Sequence, residues 1–394
     1  MHNKPLLQDQ QLNETQIQTD QQENQPLEQS QPQAQLQPQK PRFFGIDFIR
    51  CFACYQVIQL HSGEKYYWTD AETADTAYVR EGNGPFWIGI INYQFRASVP
   101  LFVMISGYLL LPVKTDIPTF LKTRFTRILF PFIFWCIMFS FYNLAIGNID
   151  WKQSLINIPK IFVNYGCEVG HLWYIYMLIG IYLFAPIISP WIREATIPQY
   201  LYYFTFWAIT NCFVYIKLIF PEFWGEVFWN NTPMLQNFTG HFGFAVLGAF
   251  IKIHLKDRNL YLLGFICLIV GYVMTTVIWE YKFYQQVYYC HDLELSWNFH
   301  TINVVLMTFG WFILLRKLVC KNRIISMIFE DVALKSYGMY LIHPMILRYA
   351  HLLCDPDSLH PIIFTIVVTI LTYVGSYLVI KAISYIPYSK YIIG

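Results

Sequence analysis

The sequence predicts an all-α, polytopic transmembrane bundle of about ten helices with both termini cytoplasmic. Three observations predict it. The chain is 55% hydrophobic, 19% aromatic and only 13% charged, with a mean hydropathy of +0.35. Apolar runs of spanning length recur along it, and none alternates with the two-residue period of a barrel strand. Lysine and arginine favour alternate loops. A chain this apolar is not a soluble enzyme, and its formal net charge of +2 reads as topology rather than as a nucleic-acid footprint.

Residues 1–42 form a first, separate region. They are rich in Gln, Asn and Pro and cannot bury a core, so a disordered cytoplasmic tail is expected. They contain no signal-peptide core; the first apolar run is long enough to act as an anchor. Residues 43–394 form the membrane domain. Its expected spans are 45–61, 94–113, 128–146, 172–190, 200–219, 238–254, 260–279, 300–316, 332–350 and 361–383. With the N-terminus inside, the cytoplasmic segments hold 18 lysines and arginines and the outer segments 7. The nine cysteines form no framework. Cys51 and Cys54 make a CxxC inside a predicted membrane helix and read as packing residues. Cys167, Cys290 and Cys354 face the outer side and allow one disulfide. No zinc-type spacing appears, so no metal is expected.

Arg50 and His61 lie in one apolar stretch, GIDFIRCFACYQVIQLH (Gly45 to His61). Eleven residues are three helical turns plus about 20°, so both side chains share a face, about 16 Å apart along the axis. An arginine at that depth is costly. It either pairs with Asp47 one turn earlier or serves an anionic or thioester donor held below a base. His61 is followed by Ser62, Gly63 and Glu64. If the helix continues one turn, Glu64 orients the imidazole, as a general base requires. If it stops at Gly63, Glu64 sits in water.

Arg124 and Arg127 form an RxxR on one helix face at the cytoplasmic mouth. Paired forks suit phosphate or pyrophosphate, and equally lipid phosphates. Arg96 opens the second span on the same side as His61, where it either snorkels, or polarises a carbonyl or binds an acidic acceptor. Ser106 and Gly107 supply small residues for close helix packing. His171 and His343 each either line the site or pack; Pro344 follows His343 and kinks that helix. His241, His291, His300 and His351 read as interface residues.

Together these segments resemble the acyltransferase family 3 membrane O-acyltransferases over essentially the whole chain after residue 40. Arg50 and His61 resemble the family's R-x10-H, and Arg124 and Arg127 its RxxR. VPLFVMISGYLL (Val99 to Leu110), HLWYIYMLIGIYLFAPII (His171 to Ile188) and SYGMYLIHP (Ser336 to Pro344) are similar to its later signatures. The resemblance implies a catalytic His61, an RxxR that binds the donor, and no bound cofactor. The donor it implies is acyl-CoA, commonly acetyl-CoA. The implied acceptor is a sugar hydroxyl of an envelope polysaccharide or lipid-linked glycan, and the location a bacterial cytoplasmic membrane. Some members carry a soluble hydrolase-like domain. This chain ends soon after its last span, so transfer by the membrane domain itself, or with a partner, is expected. The rival reading is a secondary transporter or glycan flippase whose buried charges line a pathway.

Overall fold

The computed structural model describes residues 43–67, 79–162, 170–220, 235–287, 289–354 and 358–394, all within the unit Phe43–Gly394. The expected N-terminal tail and Cys167 lie outside the described residues. Among the described residues there is no strand, and helices account for nearly all regular structure.

In chain order the main helices are α1 (Phe44–Ser62), α2 (Gly84–Asn92), α3 (Ser98–Leu110), α4 (Ile117–Ala145) and α5 (Trp151–Lys160). Then come α6 (Trp173–Glu194), α7 (Ile197–Thr210), α8 (Phe242–His254), α9 (Tyr261–Tyr284) and α10 (Ile302–Leu315). The last are α11 (Arg323–Leu353) and α12 (Pro361–Ser384). Several begin on side-chain caps. Asp116 accepts from Thr119 N–H at 3.0 Å, which holds its exposed carboxyl below the ordinary range. Asp150 accepts from Gln153 N–H at 2.7 Å, and Asn322 from Ile324 N–H at 2.9 Å.

Contacts sort the helix termini into two ends. At the basic end, cationic side chains reach carbonyls that helix C-termini leave bare. Lys252 donates to Leu111 O at 3.1 Å, Arg193 to Val113 O at 3.2 Å, and Arg316 to Leu255 O at 2.8 Å. The start of α1 joins them, Gly45 lying against the carbonyls of Leu315 and Arg316. At the opposite end Gln59 donates to Asn92 at 3.1 Å, His351 to Ser62 O at 3.1 Å, and Trp279 stacks on Trp297 at 5.8 Å.

Small residues let backbones touch. A Cβ on Gly107 would lie 2.0 Å from Ala245 O, and one on Gly248 2.1 Å from Met104 O, so α3 and α8 pack main chain to main chain. Helix α9 is inverted relative to a soluble helix. Gly264, Gly271, Thr275 and Trp279 are buried, whereas Leu262, Phe265, Ile266, Val273 and Val277 are exposed. On α12, Thr365, Thr369, Thr372 and Ser376 form the buried stripe and Ile363, Ile370, Val374 and Leu378 face outward. Water would penalise this arrangement; lipid stabilises it. The protein is a multi-pass membrane protein.

Among the described residues, five helical stretches are long and apolar enough to cross a bilayer: Gly84–Leu110, Ile117–Ala145, Gly170–Glu194, Tyr261–Tyr284 and Pro361–Ser384. A sixth counts if Cys290–Trp297 and α10, bent by 44°, form one span. The other four expected spans are largely helical. α7 and α8 are 14 and 13 residues long. α1 carries Asp47, Arg50, Gln56, Gln59 and His61, and α11 is charged at its start. Of the outer cysteines that allowed a disulfide, Cys290 and Cys354 are free thiols; Cys51 and Cys54 are buried, their thiols directed at Phe329 O and Ser336 O across the α1–α11 contact.

Candidate active site

His61 stands on the last turn of α1. The helix ends at Ser62, with Gly63 as its cap, but a new turn, Glu64–Tyr67, begins at once. The break therefore does not send Glu64 into water. Its Oε1 lies 2.6 Å from His61 Nδ1. A carboxylate only accepts, so Nδ1 carries the hydrogen and Nε2 keeps its lone pair. The two side chains are 36% and 38% exposed, open to a cavity of about 180 Å³.

Arg96 lines the same cavity, between a short 3₁₀ turn (Tyr93–Phe95) and α3. Its guanidinium carbon lies 3.7 Å from the centre of the Trp297 ring, which Trp279 backs from below. His171 lines the cavity too. It stands on the turn Gly170–Leu172, its Nε2–H directed at Leu341 O at 3.4 Å, while its own carbonyl accepts the Tyr340 hydroxyl. His343 is fully buried behind them, its ring centre 5.4 Å from that of His61 and 5.3 Å from that of His171.

Arg50 is not in this cavity. It shares the helix face predicted from its spacing, but its guanidinium lies 3.4 Å from Asp47, the pairing weighed from the sequence. Its environment belongs to the basic end. Arg50, Arg124 and Arg127 are all within electrostatic range of Tyr182 on α6. Arg124 is half-buried with its Nε unbonded and its guanidinium 5.8 Å from the Phe120 ring; Arg127 is exposed. The expected site residues thus fall into two groups. His61, Glu64, Arg96, His171 and His343 gather at one end, and Arg50, Arg124 and Arg127 gather nearer the other.

Glu294, Trp297, Asn92, Trp173 and Tyr340 also line the cavity, and the sequence reading passed over them. Glu294 and Trp297 belong to a short turn that meets α10 at the 44° bend, where the sequence shows only an outer loop. Tyr340 was inside the SYGMYLIHP string, four residues before Pro344, and that spacing was the available signal.

An arrangement of base, orienting carboxylate and nearby cation can deprotonate a hydroxyl and steady a developing oxyanion. No curated protein and no solved structure matches this chain. A family described as an acyltransferase domain, acyltransferase family 3, matches residues 43–381.

Proposed function

This chain belongs to acyltransferase family 3, and on that premise we propose that it is a membrane O-acyltransferase acting on an envelope glycan. It moves an acyl group, acetyl in the first instance, from acyl-CoA to a sugar hydroxyl of an envelope polysaccharide or lipid-linked glycan. The observation that carries the reading is the 2.6 Å contact between His61 and Glu64 at a cavity that Arg96 also lines. Acyl-CoA enters as a substrate from the basic end, its phosphates meeting Arg124 and Arg127 and its arm passing Arg50. The chain crosses a bacterial cytoplasmic membrane about ten times, with both termini inside. Alternation of basic segments supports this orientation.

In the reaction, His61 Nε2 takes the proton of the acceptor hydroxyl as its oxygen attacks the thioester carbonyl. The C–O bond forms, and the C–S bond then breaks. The imidazolium, held by Glu64, returns the proton to the departing thiolate, so ester and free CoA thiol leave. Arg96 faces the carbonyl oxygen while it carries negative charge.

The test is acetyl transfer from labelled acetyl-CoA in membranes of a host lacking related activity, followed by mass spectrometry of the envelope glycans. Wild-type membranes should gain an ester that His61→Ala membranes lack, with the rate reduced about 10²–10⁴-fold at equal protein abundance. No acetyl incorporation by the wild type would reject the acetyltransferase reading.

A further inference from the structure

An arginine at the edge of a membrane helix can turn its charge out to water or hold it inward. Arg96 stands just before α3, is only partly buried, and has many rotamers to lose. It nevertheless lines the cavity, with its charge within electrostatic range of His61. Beneath its guanidinium carbon, at 3.7 Å, lies the face of Trp297, which lines the same cavity.

The Trp297 indole is held on all counts. It is 2% exposed, and the fully buried Trp279 lies within 10° of parallel to it, ring centres 5.8 Å apart. Trp279 has no slack of its own: a Cβ on Gly89 of α2 would lie 2.6 Å from its ring. The backbone beside Trp297 is tied down as well. Asn303, on the first turn of α10, donates to Ser296 O at 2.7 Å and to Thr275 Oγ1 at 2.8 Å, and accepts from the Tyr215 hydroxyl. Ser296 Oγ donates to Thr275 O at 3.0 Å. Asn303, Ser296 and Thr275 are fully buried, and a satisfied buried network of this kind is rigid. The turn that carries Trp297 is thereby fastened to α9.

We infer that Trp297 is the positioning residue for Arg96. Its buried face, fixed by Trp279 and by the Asn303 network, keeps the guanidinium turned to the cavity, where it meets the carbonyl oxygen as that oxygen gains negative charge. The inference rests on the acyl-transfer reading above. A cation over a desolvated indole gains the most that such a contact offers. Without the indole face the guanidinium spreads over outward rotamers, and the competent fraction falls about five- to thirtyfold.

The test is a double-mutant cycle on kcat for acetyl transfer, in membranes of equal enzyme content. Trp297→Leu keeps an apolar side chain and removes the ring face. It should lower kcat about five- to thirtyfold, with the KM for acetyl-CoA unchanged. In an Arg96→Met background, where no charge remains to be held, the same change should cost less than about twofold. Trp297→Phe keeps a π face and should recover most of the lost rate. A role in packing alone would cost the same factor in both backgrounds. Should W297L fail to accumulate, fluorinated tryptophan analogues in place of Trp297 keep the shape and weaken the negative face, and kcat should fall stepwise with fluorine content. Equal losses in the two backgrounds, a wild-type kcat in W297L or R96M, or a fluorine series without effect would overturn the inference. An inactive wild type would instead reject acyl transfer itself, and the role with it.

Discussion

Replacing Glu64 with alanine tests the proposed chemistry at the point where geometry gives a magnitude. The substitution removes the 2.6 Å bond to His61 Nδ1 and leaves the imidazole in place. A hydrogen bond to a charged group contributes about 1.5–3 kcal/mol, and here it strengthens as His61 becomes a cation in the transition state. Both side chains are more than a third exposed, at 36% and 38%, so water replaces part of what is lost. The lower part of the range applies, about 1.5–2 kcal/mol, or roughly ten- to thirtyfold in rate. The initial rate of acetyl transfer should therefore fall by that factor in E64A, with the apparent KM for acetyl-CoA unchanged. The loss must be smaller than that of His61→Ala, because an unoriented base remains a base. A wild-type rate in E64A would remove the carboxylate from the mechanism. A loss equal to that of His61→Ala, in a stable protein, would mean that Glu64 does more than orient.

Two further expectations concern the donor and its side of the membrane. Arg124→Ala or Arg127→Ala should each weaken acyl-CoA binding by about 1.5–3 kcal/mol in detergent calorimetry, with lysine restoring only part of it because it lacks the fork. Unchanged affinity in the double alanine variant would make the pair lipid anchors. Single cysteines at Thr115 and Asn148, in a cysteine-depleted chain, should divide cleanly under an impermeant maleimide added to intact cells or spheroplasts. Asn148→Cys should label and Thr115→Cys should not; the reverse would put RxxR on the wrong side from cytoplasmic acyl-CoA.

Much of this was legible in the sequence because lipid writes a long signal. Helices α4, α9 and α12 fill expected spans almost end to end, since a lipid-facing helix must be apolar over its whole length. The helices that build the site were harder to classify. α1 is short of apolar residues because it carries the polar groups that chemistry needs, and α8 can be short because neighbours rather than lipid surround it. His61 and Glu64 were found because a three-residue spacing is local. Glu294 and Trp297 were missed because a bend between two short elements brings them to the cavity, and no periodicity reports a bend. Arg50 was placed on the correct face, yet a face does not say how deep a cavity reaches; the contact with Asp47 was the more local alternative. The His343–Pro344 pair was visible as a kink.

The main-chain contact between α3 and α8 bears on how far the donor must travel. Both helices are 13 residues long, or about 20 Å, against a hydrocarbon core of about 30 Å. Arg96, at the cavity, stands just before α3 begins, and Leu111, held by Lys252, stands just after it ends. The insulating layer between the cavity and the basic end is therefore only about two-thirds of a bilayer thick at this point. Because neighbouring helices rather than lipid surround α8, this thickness is set by the protein itself. In the proposed reaction a thioester on a flexible arm has that shorter passage to make while its phosphates stay with the cations.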